Sequence, residues 1–131
     1  MWDLEKLPLP FEANEFDEIH GYHVLEHTGQ QGDFRFFFAQ WQEFWRILKP
    51  NGVFIGIVPI WNGEWAWGDP GHKRMITAGT LTFLSQNEYD KQLGKTAMAD
   101  YRFCYKADFR REKEELSPDE EEYWFMLRAL K

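Results

Sequence analysis

The residues of this chain best suited to chemistry are its histidines and a tryptophan-rich segment. Histidine changes charge near neutral pH, so His23 or His72 could act as the general base for a hydroxyl or an amine. Trp61, Trp65 and Trp67 could stack on a flat substrate or hold a cationic one over a ring face. The alternative for these three rings is that they only anchor their segment to the core.

Length, charge and cysteine content limit the classes of protein to which this chain can belong. With 131 residues, the chain is expected to form one domain over residues 1–131. A formal net charge of −7 argues against a broad nucleic-acid surface, which needs clustered lysine and arginine. The single cysteine, Cys104, excludes an internal disulfide and fits a reducing compartment. No apolar run approaches the ~20 residues that span a bilayer, and the start lacks a signal-peptide pattern, so we predict a cytoplasmic protein without a membrane segment.

Two strands and a helix are expected to position the candidate side chains. Residues 17–22 predict a short strand. Asp33 is a suitable helix N-cap, and the apolar residues after it recur at three- and four-residue spacing until residues 50–52 end the helix. Residues 53–59 form an apolar run rich in β-branched side chains, which is typical of a central strand covered on both faces.

The second half of the chain predicts a helix and a hairpin. Ser85 and Glu88 have the spacing of a capping box, which predicts a short helix over about 86–93. Two strands are expected, one within 101–116 and one over 122–130. Because the Ser-Pro-Asp between them favours a tight turn, the two strands are predicted to pair antiparallel.

The order of four short motifs resembles the second half of class I S-adenosylmethionine-dependent methyltransferases. The motifs are Leu-Pro-Leu-Pro-Phe at 7–11, Phe-Asp-Glu-Ile at 16–19, Leu-Glu-His at 25–27 and Arg-Ile-Leu-Lys-Pro-Asn-Gly at 46–52, followed by the apolar strand. In that family a seven-stranded sheet has the order 3-2-1-4-5-7-6, with its last strand antiparallel. The resemblance therefore implies an α/β fold, namely a partial Rossmann-like methyltransferase sheet of family strands 4-5-7-6 with flanking helices.

The same resemblance implies S-adenosylmethionine as the cofactor. Asp3 and Leu4 are similar to the acidic and apolar pair that binds the adenine edge, while Tyr22, His23 and Val24 fall where family members contact the methionine part. The family's Gly-rich loop and ribose-binding acid have no counterpart in this sequence. The chain alone is therefore expected to bind the cofactor weakly or not at all, as a truncated domain, as half of a two-chain enzyme or as a degenerate domain.

A divalent metal is a second cofactor that the resemblance implies. Methyltransferases of the ubiquinone pathway and of small RNA bind a metal through Glu-x-x-Glu-His at this place. Here the pattern is His23-x-x-Glu26-His27, and His72 could be a fourth ligand. Nitrogen ligands suit Zn²⁺ or Fe²⁺ better than Mg²⁺. The alternative is that Glu26 and His27 only orient their loop through hydrogen bonds.

Substrate contacts are also implied by the resemblance, which makes residues 61–73 the loop over the methyl acceptor. The candidate substrate residues are Trp61, Trp65, Trp67 and Arg74, and the candidate catalytic bases are His23 and His72. His20, inside the first strand, is expected to be a core or face residue.

Two functions follow as expectations. The first is methyl transfer from S-adenosylmethionine to an O, N or C acceptor in a complete enzyme. The alternative is a non-catalytic oligomeric assembly module that uses the same fold. In either case the edge of strand 17–22 is expected to be unpaired and Phe36, Phe44 and Ile47 to be uncovered on helix 33–49, which predicts a homodimer or a higher closed oligomer.

Overall fold

A four-stranded mixed sheet organises the chain, and the computed structural model describes it over residues 3–131. The strands are β1 (Phe16–Tyr22), β2 (Leu48–Pro59), β3 (Phe109–Leu116) and β4 (Glu122–Ala129). They lie in the order β1-β2-β4-β3. Strand β1 runs parallel to β2, whereas β4 pairs antiparallel with both β2 and β3. The expectation of a mixed α/β fold with a terminal antiparallel hairpin is confirmed; the assignment of the strands to family positions 4-5-7-6 stays a prediction.

The main helix, α1 (Phe34–Ile47), begins where the sequence predicts. The carboxylate of Asp33 accepts a hydrogen bond from the backbone N–H of Phe36 at 3.1 Å. Its end differs from the prediction, because β2 starts directly after α1 and residues 50–52 lie inside that strand. The pairing register slips between Phe16 and Glu18, opposite this stretch. The Pro-Asn-Gly sequence therefore makes a bulge at the start of a strand, a position that tolerates proline.

Three shorter helices follow: α2 (Glu64–Gly68), α3 (Ala78–Thr82) and α4 (Gln86–Gln92). Helix α4 was predicted, and its N-cap Ser85 accepts from the backbone N–H of Glu88. The reciprocal capping box instead lies at α3, between Thr77 and Thr80. Helices α2 and α3 were missed because each has only five residues. Across residues 3–131, no helix has both the length and the apolar character that crossing a membrane would require.

The core lies between α1 and one face of the sheet, and it is built from aromatic rings. Trp41 is fully buried, and its ring lies 4.7 Å from Phe54 and 5.6 Å from Phe109 between centroids. Glycine is required where these rings cross the strands. A Cβ at Gly21 would lie 2.8 Å from the Phe54 ring, and one at Gly56 would overlap Phe125. Nine aromatic side chains of residues 3–131 are buried in the core.

One expectation about α1 is wrong. Phe44 and Ile47 are each only 3% exposed, and Phe36 is half-buried, so this side of the helix is covered by the chain itself. The N-terminal loop provides part of the cover. The backbone N–H of Leu9, itself a core residue, donates to Glu43 of α1 at 2.7 Å. A proline-rich loop has no periodicity, and its packing was therefore invisible in the sequence.

Candidate functional site

Two loops meet at the carboxyl ends of the parallel strands β1 and β2. His23 follows β1 in the left-handed region, with φ of 56°, and its backbone N–H still bonds to Ile57 of β2. A single 3-10 turn, Leu25–His27, comes next. The loop after β2 returns to this turn, where the backbone N–H of Lys73 donates to the carbonyl of Glu26 at 2.8 Å. Ligands of open α/β sheets bind at such strand ends.

Three predicted metal ligands come together where these loops touch. Glu26, His27 and His72 each offer a ligand atom within 4.8 Å of the others. The two imidazole rings meet edge to face, with their centroids 4.8 Å apart. Glu26 is buried, His72 is partly buried and His27 is exposed, so the cluster has one open side.

Hydrogen bonds fix the tautomer of both histidines. His27 Nδ1 lies 3.0 Å from the carbonyl of Gly71, and His72 Nδ1 lies 3.0 Å from the carbonyl of Ala66. Because a carbonyl only accepts, this network assigns the Nδ1 proton to both rings and leaves Nε2 as the ring nitrogen that can bind another group. A metal-binding histidine is held in this way by its second nitrogen.

Asp69 lies beside His72, at the side of the cluster, and sequence reasoning did not name it as a candidate. Its Oδ2 lies 3.5 Å from His72 Nε2, while its Oδ1 accepts from the backbone N–H of Gly71 at 2.8 Å. A neutral imidazole nitrogen facing a carboxylate puts two acceptors opposite each other. A cation between the two groups would make that approach favourable. The Asp-Pro-Gly-His spacing, three residues apart across a turn, was the available signal.

Buried charges lie directly beneath the cluster. Glu26 Oε1 and Arg74 Nη1 are both buried, and neither has a hydrogen-bond partner among residues 3–131. Burial lowers the pKa of Arg74 to about 10, and the charge of Glu26 opposes that shift. An orphaned carboxylate oxygen in the interior costs free energy, and a cation on the open side of the cluster would compensate it.

Arg74 orients the turn that carries Glu26 and His27. Its Nε donates to the carbonyl of Leu25 at 2.8 Å, and its Nη2 donates to Thr28 Oγ1 at 2.9 Å and to Gln40 Oε1 at 2.5 Å. The side chain is only 3% exposed. Its predicted contact with a substrate anion stays a prediction, whereas its bonds to the turn are explicit.

His23 and His20 lie apart from this cluster. His23 Nε2 makes an ion pair of 2.6 Å with Glu122 of β4, and His20 Nε2 lies 3.0 Å from Glu18. Neither is in the group of potential ligands found in the described part of the chain. His20 faces outward from the edge strand, since its side chain is 44% exposed. Of the two candidate catalytic bases, His72 thus lies within the cluster and His23 outside it.

The tryptophan loop presents its rings to solvent. Trp61, Trp65 and Trp67 are 60%, 57% and 58% exposed. The segment is anchored instead by Ala66, which is buried and whose carbonyl holds His72. Trp61 also borders an open cavity of about 620 Å³, whose other walls include Ala78, Leu116, Tyr123 and the acidic pair Glu114 and Glu115.

The candidate cofactor residues lie outside the walls of three cavities found in residues 3–131. Asp3 is exposed, and its carboxylate accepts from the backbone N–H of Glu5 at 2.9 Å. Tyr22 donates to or accepts from His20 Nδ1 at 2.9 Å. Three cavities, of about 270, 620 and 590 Å³, are lined by none of Asp3, Leu4, Tyr22, His23 and Val24.

Comparisons with known proteins bear on the fold. The sequence matches no protein-family model and no curated protein. Among solved structures, the chain is similar to an S-adenosylmethionine-dependent methyltransferase from Methanosarcina mazei, with a TM-score of 0.52, 16% identity, and coverage of 98% of this chain and 65% of that one.

Two further solved structures are similar at lower scores. A Bordetella parapertussis protein, described as "a possible exported protein", has a TM-score of 0.48 and 14% identity, over 99% of this chain and 43% of that one. The YcgJ protein from Bacillus subtilis has a TM-score of 0.42 and 16% identity, over 96% and 66%. The chain therefore spans between 43% and 66% of the lengths of these two proteins and of the Methanosarcina mazei protein. The match to the Methanosarcina mazei protein shows that the fold of this chain is methyltransferase-like.

Proposed function

We propose that this chain is the acceptor-side portion of an S-adenosylmethionine-dependent methyltransferase, which transfers a methyl group to an O, N or C acceptor. The observation that carries the proposal is the fold match to the Methanosarcina mazei methyltransferase over 98% of the chain. The remaining part of the cofactor site would be contributed from outside residues 3–131, by further sequence or by a partner. Tyr22, His23 and Val24, at the carboxyl end of β1, would bind the methionine part.

The histidine cluster would hold a divalent metal beside the acceptor. Its donors fit Zn²⁺ or Fe²⁺, since two imidazoles and the carboxylate of Glu26 offer nitrogen and oxygen together. A bound metal would polarise an acceptor hydroxyl and lower its pKa. The chain's own contribution is orientation: the carbonyls of Gly71 and Ala66 direct the two Nε2 atoms, and Arg74 holds the turn beneath them.

The cavity beside Trp61 favours an acceptor that is flat or positively charged. Glu115 supplies negative charge next to an exposed indole, a combination that attracts cations, while Glu114 pairs with Arg111 at 3.6 Å. Tyr123 lies in the same wall and bonds to Glu114. The hydroxyl of Tyr123 donates to Glu114, and burial, followed by that bond, raises the pKa of Tyr123.

Cofactor titration tests the proposal. For the 131-residue chain alone we expect saturable but weak binding of S-adenosylmethionine, with a dissociation constant of roughly 1 mM, or about −4 kcal/mol. Tyr22→Ala should weaken it further, whereas Trp65→Ala, also an exposed aromatic but in the acceptor loop, should not. Isothermal titration calorimetry with the product S-adenosylhomocysteine as a second ligand gives both constants.

Two results would count against the proposal. Micromolar affinity of the isolated chain would contradict the claim that part of the cofactor site lies outside residues 3–131. The complete lack of a saturable response to either ligand at roughly 20 mM would contradict a cofactor role for the loop after β1.

The alternative, an assembly module that uses this fold without catalysis, is favoured by one observation. Strand β1 is the edge of the sheet, and it pairs on one side only. An open edge can serve association whether or not a methyl group is transferred.

A further inference from the structure

The outer edge of β1 is open for pairing. Within residues 3–131, β1 pairs only with β2, and no backbone hydrogen bond from another segment reaches its other side. Such an edge presents N–H and C=O groups that can add another strand. From this edge and the side chains along it, we propose that a second copy of this chain binds here, with the two β1 strands antiparallel across a two-fold axis.

The sequence of β1 is self-complementary in one register. If two strands pair about Ile19, each Glu18 lies opposite the second copy's His20, and each Phe16 lies opposite its Tyr22. Directly opposed residues share a face of the sheet, so both kinds of pair are in reach. A register centred on Glu18 would instead oppose two carboxylates. Charge thus favours the pairing about Ile19.

Exposed aromatic rings at both ends of β1 support the same arrangement. Phe11 is 40% exposed and packs edge to face on Phe16, with centroids 5.0 Å apart. Tyr22, at the other end, is 46% exposed. Across the two-fold axis, Phe11 and Phe16 of each copy would lie near Tyr22 of the other copy, so this aromatic contact would form at both ends of the interface. Cross-strand aromatic pairs of this kind are among the most favourable in sheets.

The two-fold axis also limits the assembly to a dimer. Each copy uses the same patch, so the interface closes and no filament grows from β1. Two seven-residue strands with their flanking rings lie at the small end of stable interfaces, at about 1,200 Å² of total surface. We therefore expect a dissociation constant of roughly 1 μM. If β1 holds family position 4, the remaining cofactor half would add a strand at this same edge, so the dimer and the completed cofactor site are alternative occupants of the outer edge of β1.

Light scattering coupled to size exclusion tests the dimer over a range of roughly 0.1 to 100 μM chain, around that constant. The mass should approach twice 15.8 kDa at the upper end. His20→Glu places carboxylates opposite one another at two sites and should weaken the dimer roughly tenfold or more. The double variant Glu18→Lys with His20→Glu restores opposite charges and should recover it. Asn87→Glu, an exposed substitution on α4 that adds one negative charge, is the matched control and should change nothing.

The side chains of Glu18 and His20 are 57% and 44% exposed, so these variants should keep the fold, which circular dichroism checks. A monomer throughout the concentration range would overturn the proposal and leave the edge to a different occupant. A dimer that His20→Glu weakens no more than Asn87→Glu does would also overturn it, because the interface would then lie elsewhere.

Discussion

The four histidines form two pairs with opposite surroundings. His27 and His72 come from two loops distant in sequence, and each has its Nδ1 held by a backbone carbonyl. His20 and His23 belong to one strand and its end, and each has a ring nitrogen against a carboxylate of the sheet, Glu18 or Glu122. The first pair lies with Glu26 in a cluster whose ligand atoms are within 4.8 Å of one another. The second pair uses its nitrogens for ion pairs near the surface.

This contrast shows that the environment of a histidine, and not its spacing in the sequence, decides what it can bind. His23-x-x-Glu26-His27 reads as one motif, but the left-handed backbone at His23 sends its ring toward β4. His27, after the 3-10 turn, meets the loop that follows β2. The turn therefore divides the motif between a candidate metal site and the surface of the sheet.

The largest effect is expected from replacing Arg74, which holds the turn that carries His27. Arg74→Met should destabilise the protein by about 3 kcal/mol, because the carbonyl of Leu25, Gln40 Oε1 and the buried Glu26 would lose their cationic partner. Urea unfolding measures the loss. Arg102→Met removes an arginine from an exposed ion-paired network and should have little effect. Equal losses in the two variants would show that the buried arginine supports nothing specific.

The loss of stability at acid pH is expected to come partly from Glu43, a carboxylate that contacts neither histidine pair. The hydrogen bond from Arg46 holds the pKa of Glu43 below its ordinary value, and Glu43 also binds the N–H of Leu9. The stability from this lowered pKa is present above the ordinary carboxylate pKa and is lost as the pH falls through the folded value.

Glu43→Gln should therefore flatten the decline of the unfolding free energy between about pH 5 and pH 3, an effect smaller than that of Arg74→Met. Thermal unfolding at a series of pH values measures it. Glu12→Gln, at an exposed glutamate of the N-terminal loop, is the comparison. The explanation fails if both variants keep the same acid slope as the unmodified chain.

The smallest effect is expected from the second histidine pair. His23→Asn keeps a residue that tolerates positive φ and removes only the ion pair with Glu122, whose side chains are 54% and 30% exposed. The change in unfolding free energy should stay within about 0.5 kcal/mol. Thermal unfolding of the variant beside Glu122→Gln measures it. A loss of unfolding free energy comparable to that of Arg74→Met would mean that His23 contributes as much to stability as the buried network beneath the first pair, which contradicts the distinction.

Local signals made much of the fold predictable. The Asp33 cap with its apolar periodicity located α1, Ser85 located α4, and the Ser-Pro-Asp turn located the hairpin of β3 and β4. Features that depend on packing were not predictable. The cover of Phe44 and Ile47 comes partly from a loop without periodicity, and the five-residue helices carry too little pattern.

The candidate site was predictable only where residue type and local motif were enough to identify a residue. Glu26, His27 and His72 could be named from their types and motif, and the structure brings these three together. The place of His23 and the contribution of Asp69 depend on a backbone angle and on a turn, which residue types alone do not determine.

Zinc binding tests most directly the central claim that the first histidine pair forms a ligand site and the second does not. Isothermal titration of Zn²⁺ into the chain, at neutral pH and in a non-chelating buffer, should give one site. That site should be lost in His27→Ala and unchanged in His20→Ala. Elemental analysis after dialysis should find one equivalent of zinc in the unmodified chain. If no zinc is retained, or if His20→Ala and His27→Ala lose it equally, the cluster of Glu26, His27 and His72 is not a metal site.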